Sequence, residues 1–270
     1  MSMKQGILLY TPEDAARNRW FIEQLCQYAE PEGLSLRLCL TGECDPDLIF
    51  GADTAFLLNR SRSAAYSDAA EHRGIPCFNS AAVTAITNDK YQTYLHLHGR
   101  HGIPMAKTEQ ITKENPQHSL QYPLVAKPAD GHGGAGVTWI PDVDALRSYS
   151  GANPFLVQEP VVTGWDVRIY ILGGEIYAAV LRTSERDFRS NFSLGGHAAI
   201  IQPDAEMRAL VDRVLQVMPL DFAGVDLLRH PSGGCLLGEI EDAVGCRMLY
   251  QLTELDPAKD FIRCLRSRLP

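Results

Sequence analysis

The chain has 270 residues, 45% of them hydrophobic, which is enough to bury a full core and to build anything from one large domain to three small ones. Its net charge of −8, with Lys and Arg unclustered, argues against a nucleic-acid partner. Its longest apolar runs, such as residues 169–172 and 178–181, are strand-sized and far below the roughly 20 residues that cross a membrane.

Residues 6–10 (GILLY) read as a buried strand, and Thr11-Pro12-Glu13-Asp14 then signals a helix start with an amphipathic run through Tyr28. LSLRLCL alternates as a second strand and DTAFLLN as a third, and residues 63–72 form a helix closed by Gly74. The first ~80 residues therefore predict a small parallel α/β unit. Residues 81–101 are helical in pattern. After them the chain turns to hairpins: YPLVAKP, a glycine loop and VTWI, then VRIYILGGEIYAAVLR around a Gly-Gly turn. These shifts divide the chain into residues 1–85, 86–157 and 158–270, the first α/β and the other two α+β. Seven scattered cysteines without a C-x-x-C pair read as reduced thiols. The opening MSMKQGILLY lacks the long apolar stretch and cleavage site of a secretory signal, so a cytoplasmic location is expected.

Residues 131–136 (GHGGAG) contain G-x-G-x-x-G, and glycines at this density let backbone N–H groups approach phosphate oxygens. A dinucleotide fingerprint needs a helix after the loop, whereas Val137-Thr138-Trp139-Ile140 are β-formers ending at Pro141. A nicotinamide oxidoreductase is therefore a poor third reading. Strand, glycine loop and strand instead give a flap over nucleotide phosphates, although neither an H-R-D nor a D-F-G kinase motif accompanies it, and no Lys-Ser/Thr follows as in a Walker loop. Taken alone, the loop has a turn with no ligand as its plainer alternative.

AGVDLLRHPSGGCLLGEIED reads as two apolar strands around Pro231-Ser232-Gly233-Gly234. Counting outward from that connection sets His230 opposite Cys235 and Asp226 opposite Glu239, with Glu241 on the face of Glu239. Three carboxylates opposed in this way repel unless a cation lies between them, and hard oxygen ligands suit Mg²⁺ or Mn²⁺; an edge hairpin with solvated acids is the plainer alternative.

These residues together resemble the ATP-grasp carboxylate–amine ligases, specifically the RimK-type glutamate ligases and the related lysine-biosynthesis ligases. The resemblance runs in order through Asn59-Arg60, Phe78-Asn79-Ser80, Asn88-Asp89-Lys90, PLVAKP with its glycine loop, and Val157-Gln158-Glu159. It continues through Gly164-Trp165-Asp166-Val167-Arg168, Arg182, Asp187-Phe188-Arg189-Ser190-Asn191 with Gly195-Gly196, Ala223-Gly224-Val225-Asp226 and Glu239-Ile240-Glu241.

The resemblance implies an ATP-grasp fold, in which a Rossmann-like α/β unit precedes two α+β subdomains that clasp ATP. It implies that Lys90 and Lys127 reach the phosphates, that Gly131, His132, Gly133, Gly134 and Gly136 cover them, and that Glu159, Pro160, Val161 and Asp166 contact the rest of the nucleotide. Arg168, Arg182, Arg189 and Asn191 would hold the transferred phosphate and the acyl phosphate. Asp226, Glu239 and Glu241 would be the metal ligands, with ATP and Mg²⁺ (or Mn²⁺) as cofactors. The partner would be a small-molecule, peptide or carrier-protein substrate. No membrane partner is expected, and self-association is left open. Arg60 and Asn79 are expected on the substrate side. The chain departs from the family pattern by Glu241 in the place of an asparagine and by Val244 before Gly245 instead of proline. The first departure is the support for a rival reading, a catalytically impaired nucleotide-binding regulator.

Overall fold

The computed structural model of the chain describes residues 3–131, 134–161, 164–183, 197–230 and 233–269. The first unit is a parallel sheet in the order β2-β1-β3-β4, from β1 (Lys4–Tyr10), β2 (Leu34–Leu40), β3 (Thr54–Asn59) and β4 (Cys77–Phe78). Ile7, Leu8, Leu9 and Tyr10 are all buried, as the centre of a sheet covered on both faces requires. The amphipathic run after β1 is broken at Asn18 into α1 (Pro12–Arg17) and α2 (Arg19–Ala29), and α3 (Ala64–Glu71) follows β3.

The chain then passes through α4 (Ala81–Thr87), α5 (Lys90–Thr93) and a π-helical stretch over Tyr94–Arg100 into a second, antiparallel sheet. That sheet has the order β5-β8-β6-β7, with β5 (Thr108–Ile111), β6 (Leu124–Lys127), β7 (Thr138–Ile140) and β8 (Phe155–Gln158) around α6 (Val143–Arg147). The third sheet, β11-β10-β9-β12-β13, is antiparallel: β9 (Trp165–Leu172), β10 (Glu175–Thr183), β11 (His197–Ile201), β12 (Phe222–Arg229) and β13 (Cys235–Glu241). The helices α7 (Ala205–Val217), α8 (Arg247–Leu252) and α9 (Pro257–Arg268) complete the fold.

Alternation along the third sheet sorts its residues. Val167, Ile169, Val225 and Leu227 pack with Leu210, Val211 and Val214 of α7. On the opposite face, Tyr170 and Phe222 pack with Phe21 and Leu25 of α2 and with Phe261 and Leu265 of α9, which docks the first unit on the sheet. That face also carries Asp166 and Arg168, four and two residues before Tyr170 on β9, so it is apolar under the first unit and charged beyond it.

Arg60 and Asn79, expected on the substrate side, instead fasten the two units together. Arg60 is buried. Its Nε donates to the Tyr10 hydroxyl at 2.8 Å and its Nη2 to the Val244 carbonyl at 2.6 Å, and its guanidinium lies over the Phe21 and Phe222 rings. Asn79 donates to the Phe222 and Asp242 carbonyls at 3.2 and 3.0 Å and accepts from the backbone N–H groups of Asp221 and Phe222 at 2.6 and 3.3 Å.

Candidate active site

Between the second and third sheets lies a cleft of about 200 Å³. Its lining includes apolar side chains, Val125, Val161 and Leu228 among them, and the charged side chains of Lys90, Lys127, Asp166, Arg182, Asp226, Glu239 and Glu241. Gly131, Gly134, Glu159 and Pro160 also line it. The strands flanking the glycine loop are antiparallel partners, with Leu124 opposite Ile140 and Ala126 opposite Thr138, so the loop is the tip of a hairpin and not a strand-to-helix turn. Gly136, with φ at +72°, holds a left-handed conformation that glycine adopts without strain. His132 and Gly133 lie outside the described residues, as do Arg189 and Asn191.

Both lysines are placed by neighbours that sequence reading did not pair with them. Asp89 caps α5 by accepting from the backbone N–H groups of Tyr91 and Gln92, which sets Lys90 at the helix start, and the Lys90 N–H donates to the Ala129 carbonyl at 2.9 Å. The Lys90 ammonium pairs with Glu239 at 3.2 Å and donates to the Gly131 carbonyl. Lys127 donates to the amide oxygen of Gln158 at 2.9 Å, and Gln158 is itself oriented by its bond to Thr108 Oγ1 at 2.7 Å. Burial lowers the Lys127 pKa to about 8, with Glu239 pulling it up and Lys90 pushing it further down. Gln158 is thus a site residue, which the sequence offered only as part of a matching string.

The acids are compensated, although the sequence left them opposed. Asp226 is opposite Arg168 across β12 and β9, and Asp166 is opposite Arg182 across β9 and β10. Arg168 gives Nε to Asp226 Oδ1 and Nη2 to Asp226 Oδ2, both at 2.7 Å, and turns its other edge to Glu241. Arg182 clasps Asp166 at 2.6 and 2.8 Å and reaches Asp226 Oδ2 at 2.8 Å. Burial pushes Asp226 up, but the two guanidiniums outweigh it and hold this carboxyl well below the usual range. Gly224 makes room for this packing: a Cβ there would stand 2.7 Å from Val244 Cγ2 and 3.5 Å from Arg168 Cδ. Arg168 lies beneath the cleft wall, whereas Arg182 reaches it.

The hairpin register holds at the acids by a different route. Arg229, not His230, pairs with Cys235, and Gly238 is an extra residue on β13 that restores Asp226 to Glu239 and Gly224 to Glu241. Among the described residues, no group of three Asp, Glu, His or Cys side chains is arranged to hold a metal; Asp226, Glu239 and Glu241 face Arg168, Arg182 and Lys90 instead. Arginine bonds both oxygens of Asp226, which is buried, and both oxygens of Glu241, which is not. Glu239 and Glu241, each about a third exposed, keep hard oxygen donors at the cleft. That donor set fits Mg²⁺, which commonly takes one or two protein carboxylates and completes its shell with water and substrate phosphates.

Comparison with known proteins bears on the same residues. A profile of the RimK-like ATP-grasp domain matches residues 87–265. The chain is 30% identical over 211 residues to a probable alpha-L-glutamate ligase of Maridesulfovibrio salexigens, covering 71% of this chain and 67% of the relative. It is 27% identical over 222 residues to a glutamate–LysW ligase of Sulfurisphaera tokodaii, covering 76% and 78%. Among solved structures, the ATP-grasp ligase PsnB complexed with a phosphomimetic variant of its minimal precursor, Mg and ADP shares the fold, with a TM-score of 0.70 over 99% of both chains at 16% identity.

Proposed function

The chain belongs to the RimK-like ATP-grasp family, and from that membership we infer that it is an ATP-dependent carboxylate–amine ligase working through an acyl phosphate. The observation that carries the reading is the cleft itself, which a glycine hairpin, two lysines and two part-exposed carboxylates line together with apolar side chains. Val125, Val161 and Leu228 suit a base, and the charged side chains suit phosphates.

In the first step an oxygen of the substrate carboxylate attacks the γ-phosphorus, the bond to the β,γ-bridging oxygen breaks, and ADP leaves. In the second, the amine nitrogen attacks the acyl carbon, the C–O bond to phosphate breaks, and an amide, phosphate and one proton result. Lys90 and Lys127 lie against the phosphates, and Lys127 holds its proton more firmly there because phosphate charge opposes the effect of burial. Arg182 faces the transferred group, while Arg168 and Asp226 hold it in place from behind. Glu239 and Glu241 would hold a divalent cation that, when bound, neutralises phosphate charge. The glycine hairpin closes over the site and excludes the water that would hydrolyse the acyl phosphate. As in the relatives named for glutamate and for LysW, the substrates here are an acid and an amine of the amino-acid or carrier-protein kind.

The experiment is ADP release across pairs of candidate carboxylates and amines, together with the melting temperature in ATP with Mg²⁺ and in ATP with chelator. Amine-dependent ADP release and a higher melting temperature with Mg²⁺ are expected. Nucleotide binding without release for any pair would favour a regulator over a ligase.

A further inference from the structure

One face of the first sheet holds a small cluster built on Ile7, Leu9, Cys39, Leu57 and Tyr66, with Cys44 and Cys77 packed at its border. Cys39 is buried near the end of β2. Cys44 follows a turn in which the Glu43 N–H donates to the Leu40 carbonyl at 3.3 Å and Gly42 takes a φ of +85°. The turn folds the chain back and makes the thiols of Cys39 and Cys44 hydrogen-bonding neighbours. The Tyr66 hydroxyl, from α3, donates to the Cys44 carbonyl at 2.8 Å and fixes it there.

The pair is asymmetric. Cys44 is part-exposed, whereas Cys39 is 4% exposed. Arg37, two residues before Cys39 on β2, donates Nη1 to Cys39 Sγ at 3.0 Å and Nη2 to the Ile49 carbonyl at 2.8 Å. Neither acceptor is a carboxylate, so the guanidinium charge stands beside the sulfur. Burial pushes the Cys39 thiol up, and Arg37 pulls against it. Cys77 is the contrast. Its thiol donates to the Ser67 and Ile75 carbonyls at 3.4 and 3.6 Å, and burial pushes its pKa up to about 12, which keeps it an unreactive thiol.

We propose that Cys39 and Cys44 form a redox modification site, a dithiol that a hydroperoxide closes to a disulfide, with Arg37 assisting at Cys39. The part-exposed Cys44 meets the oxidant first. Its thiolate attacks one peroxide oxygen, the O–O bond breaks, and an alcohol, or water from hydrogen peroxide, leaves Cys44 as a sulfenic acid. The Cys39 sulfur, stabilised as a thiolate by Arg37, then attacks the Cys44 sulfur. The S–O bond breaks, and the departing hydroxide takes the proton that Cys39 lost and leaves as water. Two thiols are oxidised to one disulfide, and the peroxide is reduced. Neither cysteine lines the nucleotide cleft, so the site is separate from the ligase chemistry.

The test exposes the reduced full chain to hydrogen peroxide, alkylates the remaining thiols under denaturing conditions, and maps the products by mass spectrometry. Residues 38–60 form one tryptic peptide, and cleavage after Glu43 separates the two cysteines, so a Cys39–Cys44 disulfide appears as two fragments held together. That link is expected, with Cys77 still alkylated and both thiols recovered in dithiothreitol. Cys39→Ala lets Cys44 run on to the sulfinic acid, which dithiothreitol does not reverse. Cys44→Ser gives no link and leaves Cys39 alkylated. Arg37→Met slows closure about 3- to 10-fold, because the thiolate fraction falls tenfold for each unit by which a thiol pKa rises. The site is refuted if both cysteines of the peroxide-treated wild type stay alkylated, if wild-type Cys44 goes to the sulfinic acid without linking, or if either cysteine links to a different one. Closure at the wild-type rate in Arg37→Met removes Arg37 from it.

Discussion

Glu241 forms a two-pronged ion pair with Arg168, Nη1 to Oε2 at 2.9 Å and Nη2 to Oε1 at 2.7 Å, in the position where the family pattern has asparagine. Arg168 is thereby held between two carboxylates, Asp226 inside and Glu241 at the rim. Asparagine offers one neutral oxygen of nearly the same reach. Glu241→Asn is therefore expected to keep most of the turnover while losing about 1–2 kcal/mol of stability, between the values for an exposed and a buried pair. Thermal unfolding and ADP release check the two halves, and an inert Asn variant would show that the second charge is required.

Lys127 gives the pH dependence. Its folded-state pKa of about 8 lies below its unfolded value, so the unfolded chain binds the extra proton between roughly pH 8 and 10.4, and nucleotide-free stability rises with pH across that window. ATP affinity runs the other way, falling as pH rises through about 8 because phosphate binding requires the proton. Lys127→Met should stabilise the nucleotide-free chain at neutral pH by about 1–3 kcal/mol while abolishing stabilisation by ATP. Wild-type nucleotide affinity in this variant would remove Lys127 from the phosphate site.

The glycine hairpin should respond in turnover more than in stability. At Gly136, φ is +72° and an added Cβ would come 3.1 Å from Pro128 Cδ. Gly136→Val is expected to cost about 1–2 kcal/mol of strain and to lower kcat roughly 10- to 100-fold by misplacing the flap. Unchanged kcat would make the hairpin tip a turn without a ligand.

Asn79→Ala should act on stability alone. It leaves the Phe222 and Asp242 carbonyls and the Asp221 N–H without their buried partner, at a cost of about 2–4 kcal/mol. Substrate and ATP KM should be unchanged at temperatures where the variant is folded. A KM effect without destabilisation would return Asn79 to the substrate side.

The sequence by itself determined the strands and their faces, because alternation is a property of the strand backbone and needs no partner. It set Asp166 and Arg168 on one face of β9, Glu239 and Glu241 on one face of β13, and the glycine loop between two strands. Only the tertiary structure decided which charge neutralises which. The partners of Asp226 are Arg168 and Arg182, 58 and 44 residues away, and they meet through the strand order β10-β9-β12, which no local pattern encodes. The same holds for Lys90 with Glu239, Lys127 with Gln158, and the units joined through Arg60 and Asn79. An isolated lysine, arginine or carboxylate reads in sequence as a ligand for something absent; across a folded sheet its nearest opposite charge is a side chain, and desolvation requires that the pair form.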